Sequence, residues 1–462
     1  MTIRQNYIAL VVGLALHATA IGQAPVGFTL LSGLSRQSTA DATIVTGDFN
    51  GDGWTDWACK TFAGKLLVYF NTGSGAFAAP LILSPGVVAA IAAADLNGDG
   101  LSDFVTVGLN DGTLSVFTNN LVTGYSPAGT NAVGVSPSTV TAGDFNGDGR
   151  PDLVVANKGS GADTGSLMLF ANDGRAGFTP ASTLISDVGG PVWVRVADVN
   201  ADGRADLVWA NGAAGDFSLV VHTNDGTGGF VRATLLPNLA MELNADALVG
   251  DLADVDGDGR VDIVVPNRLP AVPGIPISHT ISVLTNAGNG VFALAAAPHV
   301  TQVSTVRNNL KVLARDMNGD GRPDLVVQSD VSSDMRVSVL TNAGGGQFSF
   351  AAAIFAGSKR TGLGVADLNG DGKPDILSGS WDTADVQYYV NMTPSPSPAL
   401  RILPVDGETS LLFWGKTTAP FTLQMKAGLD GNQWVSVTNG LPVTGVSLKT
   451  ALPASFFRLV GE

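Results

Sequence analysis

A short acidic loop occurs seven times in the chain, and its residue types could bind a hard metal ion. The first copy reads Asp48-Phe49-Asn50-Gly51-Asp52-Gly53-Trp54-Thr55-Asp56. In every copy, acidic or amide side chains occupy positions 1, 3, 5 and 9, and glycine occupies position 6. The copies span residues 48–56, 95–103, 144–152, 198–206, 254–262, 316–324 and 367–375.

The oxygen donors of these loops match the coordination preference of calcium. Ca²⁺ takes six to eight oxygen ligands from carboxylates, amide carbonyls and the backbone. The side chains at positions 1, 3, 5 and 9 and the backbone carbonyl of position 7 supply most of that shell, and glycine at position 6 permits the positive φ that curls the chain around an ion. We therefore predict about seven Ca²⁺ sites. The predicted ligands are Asp48, Asn50, Asp52, Trp54, Asp56, Asp95, Asn97, Asp99, Leu101, Asp103, Asp144, Asn146, Asp148, Arg150, Asp152, Asp198, Asn200, Asp202, Arg204, Asp206, Asp254, Asp256, Asp258, Arg260, Asp262, Asp316, Asn318, Asp320, Arg322, Asp324, Asp367, Asn369, Asp371, Lys373 and Asp375.

An EF-hand, which opens with a similar loop, is excluded by position 12. The EF-hand needs a bidentate Glu there and helices on either side. No residue at position 12 of the seven loops carries a carboxylate. These residues are Cys59, Thr106, Val155, Trp209, Val265, Val327 and Ser378.

The segments around each loop have the pattern of β-strands. A short apolar, β-branched run follows the loop, as in Asp262-Ile263-Val264-Val265. A second strand-like run comes about ten residues later, and a Gly-rich turn ending in Phe follows it, as from Asn172 to Phe178. One unit is therefore strand, acidic loop, strand, turn, strand, Gly-rich turn and strand. The loops recur every 47 to 62 residues.

A four-stranded unit at this period is typical of a β-propeller blade. The sequence thus predicts an all-β fold with a seven-bladed β-propeller that carries the calcium loops. The last unit stops at Asn391 and lacks its Gly-rich turn and fourth strand. The segment from Val26 to Leu31 resembles the start of a fourth strand, so residues 27–32 are predicted to supply the missing outer strand and to close the ring without a free edge.

The repeated pattern resembles the FG-GAP, or VCBS, repeats of the integrin α-subunit N-terminal β-propeller and of its bacterial relatives. The resemblance covers roughly residues 26–393. It implies that each acidic loop joins the first and second strands of a blade and holds calcium through positions 1, 3, 5 and 9. The chain departs from the repeat at Ala201, where glycine is usual, at Asp256, where asparagine is usual, and in the second Gly-rich turn, Asn119–Tyr125.

The two ends of the chain have their own patterns. Residues 1–24 combine Arg4, a short apolar run and small residues, which predicts a secretory signal cleaved after Ala24 and a secreted, periplasmic or cell-surface protein. A membrane anchor is disfavoured because the apolar run is too short to span a bilayer, and no later segment reaches spanning length. The propeller is predicted over residues 25–393.

The tail follows a Pro/Ser linker at residues 394–398, whose composition favours an extended spacer. Residues 399–462 resemble a small β-sandwich module found at the C-terminus of many secreted bacterial proteins. The resemblance rests on Trp414, on Leu423-Gln424 and on the closing Phe456-Phe457-Arg458-Leu459. It implies a separate β-sandwich domain.

The acidity of the chain has its origin in the loops. The formal net charge is −15, with 40 acidic and 25 basic residues, and the seven loops contain 22 of the acidic ones. Seven Ca²⁺ ions would cancel most of that negative charge, so the acidity does not indicate a basic partner. No Lys/Arg cluster supports nucleic-acid binding.

Three functions remain open, in order of preference. The first is an adhesion or protein-interaction scaffold with an extracellular protein as partner, which the integrin resemblance implies. The second is a lectin-like propeller that binds an extracellular glycan. The third, a polysaccharide-active enzyme, is disfavoured because the sequence has no nucleophile elbow, no His-Glu-x-x-His motif and no phosphate loop. We expect no enzymatic activity.

A partner is expected on the face opposite the acidic loops, where the second-to-third-strand turns and the blade connections lie. The longest such turn is residues 268–279, and Trp381 in another turn is a candidate for stacking on a sugar ring. By contrast, Trp57, Trp193 and Trp209 lie in strand patterns and are predicted to be core. The single cysteine, Cys59, is predicted to be a buried apolar side chain rather than a disulfide partner.

Overall fold

The computed structural model describes most of the repeat region and the strands of the tail. The described residues are 26–34, 40–61, 64–73, 75–121, 124–160, 165–212, 218–226, 228–236, 250–268, 279–295, 311–329, 335–357, 360–380, 386–393, 401–404, 409–413, 421–427, 435–438, 445–449 and 455–461. They form strands and turns, and none of them is helical. The fold is all-β, as predicted.

Within the described residues, twenty-eight strands precede the predicted linker. In chain order they are β1 Phe28–Leu34, β2 Ala40–Gly47, β3 Asp56–Thr61, β4 Leu66–Tyr69, β5 Leu81–Leu83, β6 Val88–Ala94, β7 Asp103–Gly108, β8 Thr113–Asn120, β9 Gly124–Ala132, β10 Pro137–Gly143, β11 Asp152–Asn157, β12 Gly165–Asn172, β13 Phe178–Val188, β14 Pro191–Ala197, β15 Asp206–Asn211, β16 Leu219–Asn224, β17 Phe230–Leu236, β18 Asp251–Ala253, β19 Asp262–Arg268, β20 His279–Asn286, β21 Phe292–Leu294, β22 Lys311–Arg315, β23 Asp324–Ser329, β24 Met335–Asn342, β25 Phe348–Gly357, β26 Arg360–Ala366, β27 Asp375–Ser380 and β28 Val386–Asn391.

These strands pair as antiparallel four-stranded units in sequence order. Units 1 to 6 are β2–β5, β6–β9, β10–β13, β14–β17, β18–β21 and β22–β25, and unit 7 is β26, β27, β28 and β1. Each acidic loop joins the first and second strands of its unit. Units 7 and 1 are further linked by a parallel pairing of Thr43 with Leu363.

The N-terminal strand completes the last unit. β1 pairs antiparallel with β28, from Phe28 opposite Asn391 to Leu34 opposite Val386, and its register shifts between Leu30 and Ser32. The prediction that residues 27–32 supply the missing outer strand is therefore confirmed. Because β1 covers β28, the two ends of the repeat region are held together by backbone hydrogen bonds rather than by a covalent link.

The apolar core lies between neighbouring units. Among the described residues, seven hydrophobic clusters each join two consecutive units, including units 7 and 1. Second strands such as β11 are buried along their whole length, which explains their continuous apolar sequence. Trp57, Trp193 and Trp209 are at most 3% exposed within these clusters, as predicted. Cys59 is buried as a free thiol, which confirms that prediction too.

The tail contains six further strands. They are β29 Arg401–Pro404, β30 Thr409–Phe413, β31 Phe421–Ala427, β32 Val435–Thr438, β33 Gly445–Lys449 and β34 Ser455–Gly461. They form two three-stranded antiparallel sheets, in the orders β29-β30-β33 and β32-β31-β34. The β-sandwich and the domain limits at residues 24, 393 and 398 stay predictions, and residues 1–24 and 394–398 lie outside the described residues.

Candidate metal-binding loops

Each acidic loop is curled by hydrogen bonds from its own backbone to its carboxylates. In the first loop the Oδ1 atom of Asp48 accepts the N–H groups of Gly51 and Asp52 at 2.7 and 3.2 Å, and its Oδ2 atom accepts that of Gly53 at 2.8 Å. The backbone N–H of Asp52 also donates to Asn50 Oδ1, at 2.9 Å, and that of Trp54 donates to Asp52 Oδ1, at 2.8 Å. The side chains at positions 1, 3 and 5 therefore turn inward over one small loop.

Glycine at position 6 adopts a left-handed backbone in all seven loops, with φ between 80° and 85°. This confirms the role predicted for that glycine, because residues with a Cβ atom rarely adopt such a backbone. Ala201, which stands where the repeat has glycine at position 4, has a φ of 60°. The fourth loop therefore keeps the conformation of the others at the cost of local backbone strain.

The aspartate at position 9 lies under the loop rather than at its surface. All seven of these carboxylates are fully buried. In the first loop, Asp56 Oδ2 accepts the N–H of Phe49 at 2.8 Å, and Asp56 Oδ1 accepts the N–H of Asn71 at 2.7 Å. The same two bonds occur in every unit. In five units each oxygen still has a lone pair that could face a cation. Asp262 Oδ2 also accepts the N–H of Asp256 at 3.3 Å, and Asp375 Oδ2 also accepts the Tyr388 hydroxyl at 3.0 Å, so in those two units only Oδ1 keeps one.

Burial shifts the titration of these carboxyl groups. Desolvation outweighs the two backbone hydrogen bonds, and the other loop carboxylates add to it by repulsion. The pKa is raised to about 6 for Asp56, Asp103, Asp262 and Asp375 and to about 7 for Asp324. The pKa values of Asp152 and Asp206 are raised for the same reason. A divalent cation nearby would favour the ionised form of each.

A buried asparagine lies at the end of the third strand, or just after it, in every unit and joins two loops. The Nδ2 atom of Asn119 donates to the backbone oxygen of Ser102 in its own loop and to that of Phe49 in the preceding loop, at 3.2 and 2.6 Å. The equivalent bonds to the preceding loop are 2.6 to 2.9 Å in all units. We call these residues the bridging asparagines: Asn71, Asn119, Asn172, Asn224, Asn286, Asn342 and Asn391.

The bridging asparagines were missed in the sequence analysis, although a signal for them exists. Six of them are the first residue of a Gly-rich turn, and Asn391 takes the corresponding place in the last unit, which lacks that turn. Each one contacts the carbonyl of loop position 2, whose apolar side chain is at most 2% exposed. The acidic loops and the Gly-rich turns therefore share one face, as predicted, and form a hydrogen-bonded ring.

The carboxylates converge most clearly in the fifth loop. Carboxylate oxygens of Asp254, Asp256 and Asp262 lie within 4.8 Å of one another, which is a spacing that a single cation could bridge. The other loops carry asparagine at position 3, so an amide oxygen replaces one carboxylate there. The donor set of positions 1, 3 and 9 therefore fits an oxygen-preferring ion.

Cationic side chains at position 7 lie beside the loops. Arg150 pairs with Asp148, Arg204 with Asp202, Arg260 with Asp258, Arg322 with Asp320 and Lys373 with Asp371. Such partly exposed pairs contribute little stability individually. They neutralise the outer oxygen of position 5 and leave the inner oxygens to the loop.

The candidate residues outside the acidic loops are described only in part. Trp381 lies outside the described residues, as do residues 269–278 of the longest predicted turn. His222 is buried in unit 4, where its Nδ1 atom accepts a hydrogen bond from Trp209 Nε1 at 3.1 Å. Burial, followed by the charge of Arg232, lowers the pKa of His222 to about 4, so this histidine is neutral at physiological pH.

The units, their loops and their mode of closure define a β-propeller built from acidic-loop repeats. The FG-GAP-like repeat family matches residues 48–106, 95–155, 144–209, 198–265 and 316–378, which together exceed half of the chain. The chain therefore belongs to the FG-GAP-like repeat family, as the resemblance implied. No curated protein matches the chain by sequence.

Solved structures with a similar fold include the BBS1N domain. One crystal structure of BBS1N in complex with ARL6DN, soaked with lead, aligns with a TM-score of 0.50 and 13% identity, over 80% of this chain and 97% of that one. A second, soaked with mercury, gives a TM-score of 0.50 and 14% identity, over 79% and 97%. At this identity the likeness shows the fold alone. Within the described residues, no helix is long and apolar enough to cross a membrane.

Proposed function

We propose that the chain is a calcium-stabilised scaffold that binds a protein partner outside the cytoplasm and catalyses no reaction. The observation that carries this proposal is the ring of acidic loops that the bridging asparagines join. It gives a rigid platform whose metal-binding groups have a structural rather than a catalytic placement. The similar BBS1N fold was crystallised with a protein, ARL6DN, which is consistent with a propeller that binds proteins.

In this proposal each loop holds one Ca²⁺ through the side chains at positions 1, 3, 5 and 9 and the carbonyl of position 7. The bound ion supplies positive charge against which the clustered carboxylates are stable. The buried carboxylate at position 9 holds two backbone N–H groups, and the bridging asparagine couples each loop to its neighbour. Loss of calcium would therefore loosen the connections between units as well as the loops.

The proposal that the chain catalyses no reaction rests on the ionisation of the loop carboxylates. Carboxylates that hold a cation stay ionised and are poor proton shuttles. Among the described residues, His222 is buried against Trp209 and has no access to a substrate. An adhesive or recruiting role is the function that remains for the exposed loops of this scaffold.

Export is proposed from residues 1–24. N-terminal sequencing of chain recovered from outside the producing cell is expected to begin at Pro25, which follows the predicted cleavage after Ala24. Recovery of the chain in the cytoplasm with Met1 retained would contradict this part of the proposal.

The partner class is tested by offering the mature chain a protein array of surface and secreted proteins and, in parallel, a glycan array. Each array is probed in calcium and again in excess chelator. We expect saturable binding to a protein. Excess soluble chain should compete for this binding, and chelation should abolish it. Binding to a defined sugar, with no protein bound by folded chain, would contradict the proposal.

A further inference from the structure

The centre of the ring contains a cavity whose charge is opposite to that of the chain. It has a volume of about 710 Å³ and is lined by the first strand of every unit. The whole chain has a formal net charge of −15. Among the described residues, the charged ones that line the cavity are nonetheless five cations and one anion: Lys60, Lys158, Arg195, Lys311, Arg315 and Asp251.

The anion, Asp251, is already engaged by one of the cations. Its Oδ2 atom accepts hydrogen bonds from Arg315 Nη1 at 2.9 Å and from the backbone N–H of Ala314 at 3.0 Å. Arg195 donates to the carbonyl of Val194 at 3.3 Å and lies over the ring of Trp193, 5.6 Å from its centroid. Among the described residues, no carboxylate forms an ion pair with Arg195.

The surroundings of Arg195 indicate that this cavity favours negative charge. Burial lowers the pKa of Arg195, Asp251 raises it, and Arg315 lowers it, so the positive charge of this guanidinium is incompletely compensated where it lies. The ring of Trp193, over which Arg195 lies, is 2% exposed and packs in the cluster between units 4 and 5.

The cations are distributed along the cavity. Arg315 ends β22 next to an acidic loop, whereas Lys311 begins the same strand, and Lys60 and Lys158 lie near the ends of β3 and β11 that are remote from the loops. Lys60 Nζ donates to the backbone oxygens of Val88 and Ala89 on the next unit, so it is held against the inner edge of β6. Positive charge therefore extends from the loop end to the opposite end.

We propose that the central cavity binds a small multivalent oxyanion, with the Arg195 and Arg315 guanidiniums as its donors. Guanidinium groups present several N–H donors in a planar fork that suits carboxylate, sulfate and phosphate oxygens alike. The cavity is large enough for an anion of a few fused rings or several carboxylates, and too small for a folded polypeptide. This site is separate from the calcium loops and does not depend on the protein partner.

The test uses a pyrene trisulfonate dye as the probe, with the mature full-length chain in calcium-containing buffer. Sulfonates mimic the oxyanion and bind calcium weakly, so the loops are not stripped. Fluorescence anisotropy is expected to show saturable binding that also quenches tryptophan emission. Displacement by tricarballylate or by inorganic sulfate, at ionic strength matched with chloride, would support the proposal and distinguish a carboxylate from a sulfate source.

The variants distinguish a specific anion-binding site from a general effect of the charge of the chain. Arg195→Gln and Arg315→Gln are each expected to weaken dye binding about ten-fold, as loss of a charge-assisted hydrogen bond would. Arg232→Gln, which removes an equal charge from the exposed outer strand β17, is the matched control and should leave the Kd unchanged. Arg195→Lys keeps the charge and should retain more of the affinity than Arg195→Gln. Asp251→Asn should strengthen binding because Asp251 is the one carboxylate among the described residues that line the cavity.

Circular dichroism and thermal melting of each variant ensure that only folded chains are compared. Dye anisotropy that does not rise above its value in chloride buffer without the chain would overturn the proposal. A loss of dye affinity in Arg232→Gln equal to that in Arg195→Gln would also overturn it. Weaker binding in a folded Asp251→Asn variant would also overturn it, because loss of a negative charge from the cavity should strengthen the binding of an anion.

Discussion

The side chain of Asn71 donates a 2.6 Å hydrogen bond to the backbone oxygen of Leu368, which lies 297 residues later in the chain. The same asparagine donates to the carbonyl of Thr55 at 3.0 Å and accepts the N–H of Gly73 at 3.0 Å. It therefore ties the first acidic loop to the last one. Together with the pairing of β1 and β28, this bond closes the ring at the only junction where consecutive units are not consecutive in sequence.

Replacement of Asn71 by alanine should destabilise the fold by about 1–3 kcal/mol. The change leaves two carbonyl oxygens without their donor at a site where the side chain is 1% exposed, and buried unsatisfied polar groups cost about that much. The measurement is the free energy of unfolding in urea with calcium present. Asn110→Ala, in the exposed turn between β7 and β8, is the matched control and should change stability by less than about 0.5 kcal/mol. Equal effects of the two substitutions would contradict the bridging role.

Deletion of residues 26–34 should leave the ring open at unit 7. The deletion removes the backbone partner of β28 and also Val26, which packs in the cluster between units 6 and 7. An unpaired strand edge favours association of chains. Size-exclusion chromatography is expected to show oligomers, and a synthetic peptide of residues 26–34 should restore the monomer where a scrambled peptide does not. A monomeric deletion variant with an unchanged melting temperature would show that β1 is dispensable.

Replacement of Asp148 by alanine should remove one calcium ion and destabilise the chain only moderately. A site with a Kd near 0.1 mM stabilises the fold by about 1.4 kcal/mol at 1 mM calcium. The six other loops keep their ions, so the loss should be far smaller than that caused by a chelator. Asp111→Asn, in the β7–β8 turn on the opposite face, removes the same charge and should leave the calcium content unchanged. Complete unfolding of Asp148→Ala would contradict independent sites.

The raised pKa values of the buried carboxyls at position 9 predict that the stability of the fold changes with pH in opposite directions with and without calcium. Without calcium, the folded chain holds protons at these sites up to pH about 6, or about 7 at Asp324, whereas the unfolded chain releases them near pH 4. Between about pH 4 and about pH 7 the unfolded state therefore binds fewer protons than the folded state, so stability should fall as pH rises through that range. With calcium, ionisation favours metal binding, and the trend should reverse.

Thermal melting across that pH range, in both conditions, checks this reversal. Added potassium chloride screens the repulsion of the overall negative charge but acts less on the buried carboxyls, so the trend in the calcium-free chain should persist at high salt. A calcium-free melting temperature that rises with pH would contradict the burial argument.

Much of the fold was predictable because the repeat specifies it at several levels. The strand runs after each loop, the position-6 glycines and the unit period all agree, and even the swap of β1 into unit 7 followed from a missing fourth strand. The function of Asn119 and its equivalents was not predicted because each has a hydrogen-bond partner in a neighbouring unit. Asn119 and its partner Phe49, for example, are 70 residues apart in sequence. Local patterns do not report such contacts.

The cavity was not predictable for a related reason. Arg195, Asp251 and Arg315 are spread over three units and have unrelated sequence surroundings, so the sequence contains no basic cluster. Only closure of the ring brings the first strands of the units around one space. Sequence patterns therefore indicated turns such as that of Trp381 as ligand sites and not this cavity.

The most direct test of the account is the calcium content and melting temperature of the purified mature chain, before and after chelation, with labelling of Cys59 as a third readout. We predict about seven calcium ions per chain, a large fall in melting temperature in excess chelator, and rapid thiol labelling only after chelation, because Cys59 is fully buried in the closed ring. A chain that retains no calcium, or one that melts at the same temperature in chelator with Cys59 still protected, would contradict the claim that calcium holds this ring together.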